Sequence, residues 1–502
     1  MVPLTAKSTF RFPSALLLMV AGAFSQSLPT VKDWAGMTPA EKQEWSNLKV
    51  AWDAGSTTPE IRSQVEQLNK AALAAVAAGD HAASVKNASH AVTLLRGQDW
   101  TPQRAFSAAL TVSLDPAVVG PGETVKIHLG QSFALDDKLA GATKVTVSLQ
   151  EAGSRSPGAE LKSVEVSDID WARAPLDIEV TEPNAPCANC RIVVAIGQPP
   201  TRRALAIRIQ PGLADLKTRI AAANQRIAAL EAKATADSKT ALPAALAPIE
   251  YRLSLVDPAA YNEADSALGV LEGGGNPWAA RHGDFHLAYR SAVDNALQPY
   301  RLFIPTTYDG SKPYPLILAL HGEGRDENFY FDSVQDGQFK TFAERRGYIV
   351  ACPRGRDPLS LYVGDGERDV LDVLASVRGF FKVDPARIYL AGHDTGGAAV
   401  WSIAIHRPGV FAAAAVSAPA VFFLTPEDMR SLKSLPQVVV QGDQDPQAPV
   451  KQTRLFTEAA RKAGAPVKYL EISGAGHADA VASALPEMFD WFAAHRQAAP
   501  AP

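Results

Sequence analysis

Residues 384–401 read DPARIYLAGHDTGGAAVW. An apolar run over 387–391 ends in Gly392-His393-Asp394-Thr395-Gly396-Gly397 and passes directly into an alanine-rich stretch, which reads as strand, sharp turn and helix. Gly392 and Gly396 carry no side chain, so strand and helix can nearly touch, and the side chain at the centre of the turn is thrown out beyond the strand. That central side chain is the carboxylate of Asp394.

Working outward, strand-like runs over 300–304, 316–320, 348–352, 411–416, 437–441 and 467–472 alternate with helical patterns. The stretch 365–381 is the plainest helix, with Val370, Leu371, Leu374, Val377 and Phe381 on one face. Such alternation implies a mostly parallel sheet covered by helices, here spanning 285–498. Cys352 ends an apolar strand and reads as a small buried hydrophobe.

Upstream, 1–25 has Lys7 and Arg11, an apolar run and small residues near Ser25, which reads as a secretory signal peptide and an exported protein, secreted or periplasmic. The run is too short to span ~30 Å of hydrocarbon, so no membrane span is expected after cleavage. A helical segment over 26–100 starts at Thr38-Pro39-Ala40-Glu41, a capping box with proline at the first helical position, and continues as a hairpin about Gly79-Asp80. From 104 to 210, short Val-, Ile- and Thr-rich runs separated by Gly, Pro, Asp and Asn clusters suggest an immunoglobulin-like β-sandwich. Cys187 and Cys190 fall in a loop between two of these runs, where a local disulfide suits an oxidising compartment better than half a zinc site. Residues 211–284 read as an amphipathic spacer helix followed by a partly ordered, proline-rich connector. These N-terminal modules offer surfaces for a protein partner. With 47% hydrophobic residues a sizeable core is expected, and a net charge of −4 gives no reason to expect nucleic acid.

Tyr300-Arg301-Leu302-Phe303-Ile304-Pro305, Leu320-His321-Gly322-Glu323-Gly324, the turn at Asp394, Gln441-Gly442-Asp443-Gln444-Asp445 and Gly474-Ala475-Gly476-His477 follow one another in the order of one superfamily. Residues from about 298 to 495 resemble the secreted α/β-hydrolases related to polyhydroxybutyrate depolymerases, feruloyl-type esterases and the prolyl-oligopeptidase catalytic domain. The resemblance implies an α/β-hydrolase fold and a site made of a nucleophile at 394, His477 as base and an acid that orients it. For the acid the pattern selects Asp445, with Asp443 as the alternative. It implies oxyanion donors at the backbone N–H groups of Glu323 and Thr395, a structural role for His321, a small-molecule or polymer ester substrate, and no cofactor.

Asp394 stands where that family has serine. A carboxylate attacking an ester would give an anhydride, and two carboxylates flanking His477 favour its protonated form. Three readings follow: an esterase-like or peptidase-like hydrolase with a non-standard elbow, a catalytically silent hydrolase fold that binds or scaffolds, and an Asp-nucleophile hydrolase acting on alkyl carbon. The last has a precedent in haloalkane dehalogenases and epoxide hydrolases. Against it stand Thr395, where those enzymes usually have tryptophan, and the short segment between Pro419 and Gln437, which leaves little room for a cap.

Overall fold

Three helices open the described chain: α1 (Pro39–Asp53), α2 (Pro59–Ala78) and α3 (His81–Leu95). In this computed structural model the described residues are 37–497 except 54–57, 138, 140, 155–157, 182–186, 234–240, 358 and 422; the leader read over 1–25 lies outside them. Thr38 and Glu41 form the expected reciprocal cap, Glu41 N–H donating to Thr38 Oγ1 at 3.3 Å and Thr38 N–H to Glu41 Oε2 at 2.7 Å. Gly79, at φ 71°, closes α2, and Asp80 caps α3 through Ala83 N–H at 3.0 Å.

A short helix α4 (Pro102–Ala109) leads into the sandwich: β1 (Leu110–Asp115), β2 (Val118–Val119), β3 (Thr124–Gln131), β4 (Thr143–Glu151), β5 (Ala159–Val166), β6 (Leu176–Thr181), β7 (Cys187–Ile196) and β8 (Thr201–Ile209). They form one sheet in the order β1-β3-β6 and a second in the order β2-β8-β7-β4-β5. Alternate residues such as Val125, Ile127 and Leu129 face Val145, Val147, Ile192 and Val194 in a shared core. Two expectations are corrected. The segment carrying Cys187 and Cys190 opens β7 rather than lying in a loop; the pairing with β8 slips between these two residues, and the irregular spacing hides the strand. Strand β5 was not expected, because it lies largely exposed and lacks the alternation that marks a half-buried strand.

The spacer is α5 (Leu213–Lys233), and the expected loose connector is two helices, α6 (Ala241–Ser254) and α7 (Pro258–Glu272). Prolines suggested a break, yet Pro258 sits at the helix start after Asp257, which caps it, Pro243 lies in the first turn of α6, and of the connector's prolines Pro248 alone lies in a helix interior. Burial of Leu246, Ile249, Leu253, Tyr261 and Leu268 outweighs that defect.

The remaining strands are β9 (Gly283–Arg290), β10 (Leu297–Ile304), β11 (Tyr314–Leu320), β12 (Ile349–Pro353), β13 (Val383–His393), β14 (Ala413–Ser417), β15 (Gln437–Gly442) and β16 (Val467–Ile472). Among them lie α8 (Phe329–Asp332), α9 (Gln338–Arg346), α10 (Asp365–Phe380), α11 (Thr395–His406), α12 (Val450–Lys462), α13 (His477–Ser483) and α14 (Leu485–Ala494). The sheet runs β16-β15-β14-β13-β11-β12-β10-β9. Only β9 and β10 join it by antiparallel pairing; the strands from β11 onward are parallel. One face packs on α9 and α14 through Phe339, Phe489 and Phe492. The other packs on α10 and α11, and the same hydrophobic cluster takes in Leu216, Ala223 and Ile227 of α5 with Ile249 and Leu268 of α6 and α7. A boundary at 285 therefore cuts a continuous core, and the structural unit begins at α5.

Helices α1–α3 pack on the loops that follow β11, β12 and β14, at the carboxyl edge of the sheet. Leu361 joins their core, with Val363 and Phe423 against it, and Lys42 lies 3.8 Å from Asp357. The N-terminal helices thus supply the cover that the short segment after β14 could not.

Candidate active site

Asp394 caps the turn between β13 and α11 with φ 59° and ψ −125°, a conformation sparsely populated for a residue with a side chain. Gly397 N–H closes the turn on Asp394 O at 2.9 Å, and Asp394 N–H ties it to β14 by donating to Ser417 O at 3.0 Å. A Cβ at Gly392 would stand 2.2 Å from Gly396 O, and one at Gly396 would stand 2.2 Å from Leu320 O. Glycine at these two positions is what lets β11, β13 and α11 converge beneath Asp394.

Asp445 follows β15 and is buried. Its Oδ1 accepts from the amides of Gln447 at 2.8 Å and Ala448 at 2.9 Å; its Oδ2 lies 2.7 Å from His477 Nδ1 and accepts from Gln441 Nε2 at 3.1 Å. Burial alone would raise its pKa, but the His477 contact and these amides prevail and hold it below the usual carboxylate value. Asp443 is a turn carboxylate that accepts from Gly474 N–H at 2.7 Å. His477 begins α13, and its Nε2 lies 3.7 Å from Asp394 Oδ1. Burial lowers the imidazole pKa; the Asp445 hydrogen bond and the charges of Asp394 and Asp445 outweigh it, so the net shift is upward.

The other oxygen of Asp394 is fixed. Glu323 N–H donates to Asp394 Oδ2 at 2.9 Å, and the amide of Thr395 further stabilises the carboxylate. Burial nonetheless pushes the Asp394 pKa upward, opposed by His477 and these amides. The donors expected to serve a substrate oxyanion are thus engaged by Asp394 itself. The turn that presents Glu323 is pinned: His321 N–H donates to the buried Tyr362 hydroxyl at 3.0 Å, and the His321 ring, kept neutral by burial, lies with Nδ1 2.9 Å from Gly322 O and Nε2 3.0 Å from Arg354 O and donates to one of the two.

Two residues at the site carry no sequence signal. His393 is buried with its ring centroid 4.6 Å from that of His477 and stacked on Phe329; burial, with His477 adding to it, depresses its pKa to about 3. It is a neutral wall, and nothing in the turn pattern distinguishes the residue before Asp394. Ser46 of α1 donates from its hydroxyl to Glu323 Oε2 across 277 residues of sequence. Cys352 is a buried free thiol and Cys190 is disulfide-bonded; the side chain of Cys187 lies outside the described residues.

The sheet order and the elbow after its fifth strand define the α/β-hydrolase fold. Within it, residues 360–499 match the dienelactone hydrolase family. Among solved structures, an S-formylglutathione hydrolase from Agrobacterium tumefaciens is 16% identical over 42% of this chain and 94% of its own, with TM-score 0.35. A ferulic acid esterase from Anaeromyces mucronatus, solved with ferulic acid, is 14% identical over 43% and 94%, with TM-score 0.37. A putative dipeptidyl aminopeptidase IV from Bacteroides ovatus is 17% identical over 44% of this chain and 37% of its own, with TM-score 0.36. No curated protein matches the chain.

Proposed function

We propose that the protein is a hydrolase that works through a covalent ester on Asp394, formed at a saturated carbon of its substrate. The observation that carries this reading is the division of labour within one carboxylate: Oδ2 is held by Glu323 N–H at 2.9 Å, and Oδ1 faces His477 Nε2 at 3.7 Å. Oδ1 attacks the carbon, the bond to the leaving group breaks and the departing group keeps the electron pair. The resulting ester already has its carbonyl oxygen, Oδ2, among the oxyanion donors. Water then attacks Cγ as His477 takes its proton, and collapse releases an alcohol that regains that proton. The esterase-like machinery is retained, but its ester is the enzyme's own.

Charge supports the sequence of steps. Before reaction, Asp394 and Asp445 both favour imidazolium, which is useless as a base. Alkylation neutralises Asp394, so the His477 pKa falls at the moment a base is required. Direct acyl transfer fits less well, because Oδ2 occupies the place a substrate carbonyl oxygen would need. The silent reading is favoured by one observation: α1 lies over the site, and the Asp394 and His477 side chains are only 15% and 11% exposed. Incubating the His477→Ala variant with styrene oxide or phenethyl bromide separates the two. An adduct on the Asp394 peptide supports the nucleophile, and an unmodified peptide with both reagents, together with no wild-type turnover, leaves the silent fold.

The leader over 1–25 and the disulfide at Cys190 support an exported protein. No helix among the described residues is long and apolar enough to cross a membrane.

A further inference from the structure

Displacement at saturated carbon needs something to receive the departing group, and the side chain placed for it is Glu323. Its amide is 2.9 Å from Asp394 Oδ2, so the side chain springs from the rim of the reacting carboxylate. It is half-buried, and among the described residues no ion pair with a cation is formed by it. Ser46 Oγ donates to Oε2, which leaves Oε1 as the oxygen able to carry a proton. Burial raises the Glu323 pKa; Ser46 opposes this and the charge of Asp394 adds to it. Burial raises the Asp394 pKa as well, so what distinguishes the two carboxyls is their contacts. Asp394 has backbone amides and an imidazole to stabilise its charge, whereas Glu323 has a single hydroxyl.

We propose that Glu323 is the general acid of this site and that its substrate is an epoxide: Asp394 Oδ1 attacks one ring carbon, the ring C–O bond breaks with its electron pair going to oxygen, and that oxygen takes the proton from Glu323 Oε1. The proposal rests on the reading of Asp394 as nucleophile. Hydrolysis of the ester by water and His477 then gives a diol, and Glu323 regains its proton from solvent, so the sum is epoxide plus water to diol. Proton donation matters for an alkoxide, a strong base and poor leaving group, and far less for a halide, which departs as a stable anion. Because Ser46 belongs to α1, the acid is complete only when the N-terminal helices are seated.

The test compares two leaving groups at one nucleophile. In the His477→Ala background, which holds the ester, rates of adduct formation on Asp394 are followed by peptide mass mapping with styrene oxide and with phenethyl bromide. Glu323→Gln should lower the epoxide-to-bromide rate ratio by a factor on the order of 10². Ser46→Ala removes a hydroxyl that opposes the upward shift of Glu323, so the acid stays protonated, but it also removes the contact that holds Oε2; the ratio should fall through lost orientation alone, by a smaller factor than in Glu323→Gln. An unchanged ratio in Glu323→Gln, including one in which both rates fall together as a purely structural role requires, overturns the proposal. Absence of both adducts from the parent overturns the nucleophile and the acid with it.

Discussion

Asp394 differs from a serine in charge and in reach, and replacing it separates these effects. Asp394→Ser vacates the place of Oδ2 beside Glu323 N–H and removes one of the two carboxylates next to His477. The variant should hydrolyse p-nitrophenyl acetate and be labelled by a fluorophosphonate, and adding His477→Ala should remove the gained activity by a factor on the order of 10³. A folded variant with neither property would mean that the acid, base and donors are not in working register. The His477 pKa should also drop in Asp394→Asn, followed by the imidazole C–H resonances, while His393 stays neutral above pH 5. The sign for stability follows from the upward shift of His477. Its contribution is full below the unfolded value near 6.5 and is lost as pH rises through the folded value, so the Tm of wild type should fall across that window more than that of Asp394→Asn. Much of this site was legible in sequence. Gly-x-Gly-His led to His477 and the Asp445 spacing to its partner, because both sit on short loops after strands whose order the superfamily fixes. Ser46, His393 and the side chain of Glu323 were not, since nothing local ties a serine in the first helix to a turn 277 residues away.

At the scale of elements, the turn between β13 and α11 is where backbone approach is least forgiving. Gly396→Ala would bring a methyl to 2.2 Å from Leu320 O, and backbone on both sides has little freedom to move. The substitution should cost about 1–3 kcal/mol or more in urea unfolding and abolish alkylation of Asp394. A variant with wild-type stability would show that the strand and helix are not so closely apposed. The strands of the hydrolase sheet were readable because buried parallel strands are continuous apolar runs: Tyr314–Leu320 and Gln437–Gly442 are buried at every position. Strand β5 escaped because its exposed edge position breaks the alternation, and α6 escaped because Pro248 resembles a stop signal. In α6 tertiary packing overrode the local signal, and in β5 the backbone pairing with β4 did.

For the whole molecule, the shared core makes the N-terminal boundary testable. A fragment beginning at 285 loses Trp278 and α5–α7, whose Leu216, Ile249, Leu253 and Leu268 share one hydrophobic core with Phe285, Leu287 and Tyr289 of β9. It should show no cooperative melting, whereas a fragment 213–497 should melt cooperatively and yet react more slowly with styrene oxide, because Ser46 is gone from Glu323. Equal melting of the two fragments would place the boundary back at 285. Secretion of the full chain should yield a mature protein that begins at or near Gln26, read by N-terminal sequencing; an intact Met1 in the exported fraction would contradict it. Above all, the account depends on Asp394 being esterified and released in each cycle. The most direct measurement is turnover of styrene oxide in H₂¹⁸O followed by mass analysis of the peptide that contains Asp394. Attack of water at Cγ should place ¹⁸O in the Asp394 carboxylate, with the first turnover giving unlabelled diol. Label appearing in the first-turnover diol and never in Asp394 would mean that water attacks the substrate directly, and the covalent mechanism would be wrong.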